Sequence, residues 1–200
     1  MSDCECSLEI ESREQSRVLW FLLAINAVMF IAEFATGIIA ESTGLIADSL
    51  DMLADATVYA IGLYAVGRAA RTKIRAAMVS GVFQVTLAMG VALEIVRRLV
   101  WGSEPEPLYM IGVGVIAVIA NIICLTLISK HKDGEVHMRA SWVFSKNDVI
   151  ANAGVILAGI LVTALDTRLP DLIIGALIVL IVFRGGVSII NDARNERATK

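Results

Sequence analysis

The chain has 200 residues with a net charge of −3; 57% of them are hydrophobic and only 18% are charged. Together with a mean hydropathy of +0.75, this indicates a membrane protein with little chain left for a soluble domain. Basic residues occur in short connections, which excludes nucleic acid as a partner, and three cysteines imply no disulfide framework.

Six apolar runs follow one another along the chain, each long enough to cross a bilayer as a helix. We predict an all-α protein with six transmembrane helices, at about residues 18–40, 44–67, 76–100, 108–129, 140–165 and 170–190. Residues 18–190 then form one six-helix transmembrane domain. Residues 1–17 and 191–200 form short tails. The acidic N-terminus is unlike a signal peptide, so we expect it to be retained.

The distribution of Lys and Arg predicts the orientation in the membrane. Twelve basic residues lie in the tails and two of the connections: Arg13, Arg17, Arg68, Arg71, Lys73, Arg75, Lys130, Lys132, Arg139, Arg194, Arg197 and Lys200. The opposite side holds Arg97, Arg98 and Arg168 beside acids at 41, 104, 106, 166 and 171. The positive-inside rule therefore places both termini in the cytoplasm of a multi-pass cell-membrane protein.

Three aspartates interrupt the second apolar run. Asp48, Asp51 and Asp55 recur at i, i+3 and i+7, so they form one acidic stripe on a helix. A charge inside a bilayer costs a few kcal/mol on the milder insertion scales, and like charges one turn apart repel each other. The stripe therefore predicts a pathway for metal ions or protons, or a water-filled cavity.

Asp148 in the fifth run is expected at the same depth as this stripe. At about 1.5 Å per residue, Asp51 and Asp55 lie roughly 10 to 17 Å from one face and Asp148 roughly 12 Å from the other. Ser145 and Asn152 share the helix face of Asp148, whereas Asn147 points about 100° away. Interhelical hydrogen bonding remains an alternative role for polar residues such as Asn26 and Asn152.

The segment Gly44-Leu-Ile-Ala-Asp-Ser-Leu-Asp-Met-Leu-Ala-Asp55 resembles the second-span signature of the cation diffusion facilitator family. In that family a His or Asp and an Asp four residues later ligate the transported metal, which matches Asp51 and Asp55. The fifth-span signature matches Asp148 and Asn152. The resemblance extends over essentially all six spans.

The first span adds two further matches to this family, Asn26 and Glu33. Glu33 either faces the ion path or hydrogen-bonds to a neighbouring helix. Asp48, one turn outside the ligand pair, is either a station on the path or an acid that packs between helices. The sequence leaves these alternatives open.

Two departures from the family pattern affect what the resemblance implies. Phe144 occupies the usual fourth ligand position, so water, Ser145, Asn147 or Asn152 would have to complete the site around the three aspartates. An oxygen-only set would suit Mn²⁺, Fe²⁺ or Co²⁺ as well as Zn²⁺ or Cd²⁺. The family's cytosolic C-terminal domain is also expected to be absent, so a homodimer would form through transmembrane helices.

Four further residues are candidates for capturing metal in the cytoplasm. Cys4 and Cys6 could hold a soft divalent ion loosely, but two thiolates do not complete a tetrahedral site. A disordered tail is the alternative. His131 and His137 fall in the predicted loop between spans four and five, where a solvated loop is the alternative.

The predicted function is export of divalent transition-metal ions from the cytoplasm by proton-coupled alternating access. Zinc is the first expectation and cadmium the second, on the family resemblance and the cysteine pair. A membrane subunit that binds or senses metal without transporting it is the alternative. No His-Glu-x-x-His helix is present, so we expect neither an enzyme nor a bound cofactor.

Overall fold

The computed structural model describes residues 2–65, 70–129 and 136–198, which contain six α-helices and no strand. The side chains of some of these residues, including 2–13, 136–145 and 147, lie outside that description. The helices are α1 (Ser2–Ile39), α2 (Thr43–Ala65), α3 (Ala70–Trp101), α4 (Pro107–Ser129), α5 (Val136–Leu165) and α6 (Leu169–Ala198). The prediction of an all-α fold with six helices is confirmed.

Four of these helices are long and apolar enough to cross a membrane within the described residues: α1, α4, α5 and α6. The helix α2 is not one of the four, because every 18-residue stretch of it contains three charged residues, Asp48, Asp51 and Asp55. The helix α3, some of whose side chains are outside the description, is also not among the four. Helix α1 begins at Ser2 and α6 continues to Ala198, so both include residues predicted to be tails.

The helices pack most extensively in three pairs: α1 with α2, α3 with α6, and α4 with α5. Glycines allow close approach in each pair. A Cβ atom added at Gly37 would lie 2.9 Å from Ile46, and one added at Gly114 would lie 2.9 Å from Ile156. At the α3–α6 crossing, a Cβ on Gly81 would lie 2.9 Å from the carbonyl oxygen of Gly186. Small residues at crossings are typical of helix packing in membranes.

Three short connections meet at the end of the bundle opposite the two chain termini, which we call the non-terminal end. They comprise residues 40–42, 102–106 and 166–168. The N–H of Glu106 donates to the carbonyl oxygen of Ala40 at 2.9 Å, joining two of them. The first and third turn through a left-handed residue, Glu41 (φ +46°) and Asp166 (φ +50°).

A buried apolar core fills the half of the bundle near this end. Leu45 and Leu50 of α2, Met110 of α4, Val155 of α5 and Val182 of α6 are at most 4% exposed. Large apolar side chains on the outer surfaces, such as those at 31, 116 and 181, are by contrast more than half exposed. An apolar exterior of this kind matches a lipid environment. The core holds α2 and α5 side by side, and these two helices carry the candidate site.

Candidate metal centre

The helix α2 is fixed at its start, and this sets the rotation of the acidic stripe. Ser42 is its N-cap residue, and the Ser42 hydroxyl accepts a hydrogen bond from the N–H of Leu45 at 3.1 Å. Asp171 of α6 accepts a second set of hydrogen bonds from the same helix start. With that end anchored, Asp48 and Asp55 are buried and Asp51 is half-buried.

Asp148 of α5 lies close to Asp51 and Asp55 of α2. Its carboxyl group lies within hydrogen-bonding reach of those of Asp51 and Asp55. The three side chains line one cavity of about 210 Å³. The structure therefore brings together the three aspartates that the sequence predicts as metal ligands.

The remaining walls of the cavity come from α3 and α6. Gln84 lines it and donates through Nε2 to the carbonyl oxygen of Val182 at 3.1 Å. Val182, Gly185 and Ile189 of α6 form an apolar wall. The cavity thus combines three carboxyl groups and one amide with an apolar surface, and oxygen donors of this kind suit hard and intermediate divalent cations.

Tyr59 supports the site from one turn further along α2. Its hydroxyl donates to Oδ2 of Asp55 at 2.9 Å, and the side chain is 1% exposed. This hydrogen bond orients one carboxylate toward the cavity, as outer partners of metal ligands commonly do. Sequence reasoning missed both Tyr59 and Gln84. The spacing of four residues between Asp55 and Tyr59 was the available signal for the first.

A second acidic cluster lies nearer the non-terminal end. Asp48 is within hydrogen-bonding reach of Glu33 on α1 and of Asn152 on α5, and all three are at most 1% exposed. Both carboxyl oxygens of Glu33 and Oδ2 of Asp48 have no donor among the described residues. Two buried carboxyl groups that face each other, with three oxygens that lack donors, are stabilised by a proton or a cation between them.

The asparagines predicted as ligand and pathway residues lie apart from the cavity wall. Asn152 donates through Nδ2 to the main-chain carbonyl of Asp148 at 3.0 Å, and it sits beside Asp48. Asn26 donates to the carbonyl of Leu22 at 2.9 Å and contacts Sγ of Cys124 at 3.9 Å. Neither lines the space shared by the three aspartates.

Several candidate residues fall outside the described part of the structure. The side chains of Phe144, Ser145 and Asn147 are among these, although the helix α5 that carries them is described. The same holds for the side chains of Cys4, Cys6 and His137, while His131 lies outside the described residues altogether. Their predicted roles stay predictions.

The three aspartates share a cavity without forming a closed ion cage. Over the described residues, no three His, Cys, Asp or Glu side chains are grouped closely enough to hold one ion. Ligand oxygens must lie about 2.0 to 2.6 Å from a divalent cation. The carboxyl groups of Asp51, Asp55 and Asp148 would therefore have to close on an ion that enters.

Comparison with known protein families covers most of the helical bundle. Residues 19–196 match the family model described as the cation efflux transmembrane domain. The chain belongs to the cation diffusion facilitator family. No curated protein matches its sequence significantly. Members of the cation diffusion facilitator family are membrane transporters of metal cations rather than enzymes. This facilitator therefore has a transport function that its buried carboxyl groups can serve.

Proposed function

We propose that this cation diffusion facilitator exports divalent transition-metal ions by proton-coupled alternating access, with Asp51, Asp55 and Asp148 as the ion ligands. The observation that carries the proposal is the shared cavity of about 210 Å³ lined by all three carboxyl groups. The carboxylates lie on two facing helices, so a relative movement of these helices changes the distances between the carboxylates. The ion can thus be bound in one arrangement and released in another.

Proton coupling is supported by the contacts among the carboxyl groups. Asp148 lies within hydrogen-bonding reach of two other acids, and such contacts need either a proton or a cation to offset the repulsion. Metal ligands must be deprotonated, so ion binding releases protons. When the site faces the opposite side, protons compete with the ion for the same oxygens and displace it.

The path toward release runs through the cluster of Glu33, Asp48 and Asn152. This cluster lies between the cavity and the non-terminal end, which the positive-inside rule places outside the cytoplasm. Its oxygens without donors can pass a partly hydrated cation through an otherwise apolar half of the bundle. Thus Glu33 and Asp48 act as an exit-side station rather than as primary ligands.

Zinc is the proposed substrate and cadmium the second, on the family resemblance and the Cys4–Cys6 pair. Mn²⁺, Fe²⁺ and Co²⁺ remain competitors because the three described ligands provide only oxygen. The proposed setting is the cell membrane, with both termini in the cytoplasm. We also propose a homodimer formed through transmembrane helices.

Ion flux into proteoliposomes, measured with a metal-sensitive dye, tests the proposal. Replacing Asp51, Asp55 or Asp148 by Asn removes one charge at nearly constant volume, and each change should abolish Zn²⁺ flux. The matched control is Asp192→Asn, at an exposed aspartate of α6, which should transport normally. Flux retained in the three site variants would refute the ligand assignment.

The same vesicles separate transport from metal sensing. A second dye inside them should report a pH change that accompanies Zn²⁺ movement and disappears in Asp148→Asn. Wild-type protein that binds Zn²⁺ but moves none across the bilayer would instead support the alternative function, a metal-sensing subunit.

A further inference from the structure

A groove of about 400 Å³ separates α1 from α3 near the non-terminal end, with α2 at its base. The walls further from the non-terminal end are apolar. They comprise Phe34 and Ile38 of α1 together with Gly90 and Val91 of α3. Phe34 is 38% exposed and Ile38 is 55% exposed. An added Cβ at Gly90 would meet no atom within 4 Å, so the groove is open at this point.

The part of the groove nearest the non-terminal end is lined by charged side chains. Glu94 accepts two hydrogen bonds from Arg97, at 2.7 and 2.6 Å, and one from Nε of Arg98 at 2.7 Å. One carboxylate thus faces two guanidinium groups. The opposite wall contributes the carboxylate of Glu41.

Arg98 lacks one of the acceptors that its guanidinium group requires. The side chain is 4% exposed, and its Nη1 atom is buried with no hydrogen-bond partner among the described residues. A buried donor of a charged group without an acceptor carries a large desolvation cost. Arg98 also lines the groove, so an acceptor bound there reaches Nη1 once the guanidinium group turns toward it.

The groove is therefore amphipathic along the bundle axis. Trp101, 77% exposed, lies one turn beyond Arg98 at the end of α3, and tryptophans at such positions mark the membrane interface. The charged wall then lies near the headgroup level and the apolar walls at the level of the acyl chains. An amphipathic ligand with an anionic group next to its hydrocarbon matches this order.

We propose that this groove binds a glycerophospholipid whose phosphate accepts a hydrogen bond from Arg98 and whose acyl chains lie along Phe34, Ile38 and Gly90. A phosphate oxygen supplies the acceptor that Nη1 lacks, and a charge-assisted hydrogen bond of this kind is strong. Glu41 on the opposite wall suits an ammonium group, so phosphatidylethanolamine is the probe of choice. The site is independent of which metal is transported.

Native mass spectrometry of the full chain in detergent, titrated with phosphatidylethanolamine, tests the site. The variant Arg98→Gln should weaken lipid binding about tenfold or more, as expected for loss of one charge-assisted hydrogen bond. Arg168→Gln, at the same end of the bundle but outside the groove, should bind within about twofold of wild type.

A second pair of variants keeps the proposal testable if Arg98→Gln fails to fold. Gly90→Phe fills the groove and should abolish binding of the lipid. Gly112→Phe is its matched control, because an added Cβ at Gly112 also meets no atom within 4 Å. That variant should bind normally, and equal lipid binding by both glycine variants would overturn the proposal.

Three other outcomes would also overturn it. Diacylglycerol that binds as tightly as phosphatidylethanolamine would show that the phosphate is not recognised. Full displacement of the lipid by millimolar inorganic phosphate would show that the site holds a free anion. A dimer mass in wild type that becomes a monomer mass in Gly90→Phe would show that a second copy of the chain covers the groove.

Discussion

The carboxylate of Asp171 accepts a hydrogen bond from the backbone N–H of Thr43 at 2.7 Å, although 128 residues separate them. It also accepts one from the N–H of Gly44 at 2.9 Å and one from the hydroxyl of Ser42 at 2.6 Å. A negative charge at a helix N-terminus satisfies free N–H groups and favours the helix dipole. The first residues of α6 therefore cap α2, the helix that carries the acidic stripe.

We expect Asp171→Asn to lower the free energy of unfolding by about 2 kcal/mol, because the buried cap loses its charge and one acceptor oxygen. Denaturant unfolding in mixed micelles measures this change. The control Asp166→Asn, at an exposed aspartate of the neighbouring turn, should leave stability within about 0.5 kcal/mol of wild type. Equal effects of the two variants would contradict a capping role.

Tyr59 provides a test of how strongly the orientation of the Asp55 carboxylate affects metal affinity. The variant Tyr59→Phe removes the hydroxyl that donates to Asp55 and keeps the buried ring. Loss of one hydrogen bond, worth about 1 kcal/mol, should weaken metal binding roughly fivefold. Isothermal titration with Zn²⁺ measures it, and Tyr109→Phe, at a half-exposed tyrosine of α4, is the control. Unchanged affinity in Tyr59→Phe would show that Asp55 needs no such partner.

If Glu33 and Asp48 form an exit-side station, a change there should impair transport without impairing ion binding in the cavity. Glu33 faces Asp48 rather than the cavity, so Glu33→Gln should slow flux while leaving Zn²⁺ affinity within about threefold of wild type. Flux in vesicles and equilibrium binding in detergent are measured on the same preparation. Glu106→Gln, at an exposed acid of the 102–106 connection, should alter neither quantity. A loss of affinity in Glu33→Gln would instead make Glu33 a primary ligand.

Sequence periodicity and residue depth were enough to predict that Asp51, Asp55 and Asp148 meet. Both depend on local helix geometry, which fixes the face and the height of a side chain. The role of Asp171 was not predictable in this way, since its partners lie in a helix more than 120 residues earlier. Gln84 was missed for the same reason, because nothing local specifies that α3 pairs with α6.

Asn152 illustrates the limit of the periodicity argument. The spacing of four residues puts it on the same helix face as Asp148, yet its Nδ2 donates to the main-chain carbonyl of Asp148 and it lies beside Asp48. Asparagine can hydrogen-bond to the backbone of its own helix, and this competes with any role across the bundle. Which partner such a side chain selects depends on the packed neighbours rather than on spacing.

The sequence resemblance places Phe144 at the usual fourth ligand position of the family, and we expect this position to control metal preference. Position 144 lies one turn before Asp148 on α5. The variant Phe144→His would add a nitrogen ligand to the three carboxylates. Imidazole favours Zn²⁺ over Mn²⁺ relative to oxygen ligands, so the ratio of Zn²⁺ to Mn²⁺ flux should rise, by roughly tenfold for about 1.4 kcal/mol of added preference.

Both fluxes are to be measured at the same pH for wild type, Phe144→His and Phe144→Leu. The leucine variant is the matched control, because it changes the aromatic ring without adding a ligand, and its flux ratio should equal that of wild type. An unchanged ratio in the histidine variant at normal expression would mean that position 144 does not face the ion. In that case water or a nearby polar side chain completes the coordination, and the oxygen-only set of Asp51, Asp55 and Asp148 determines the selectivity.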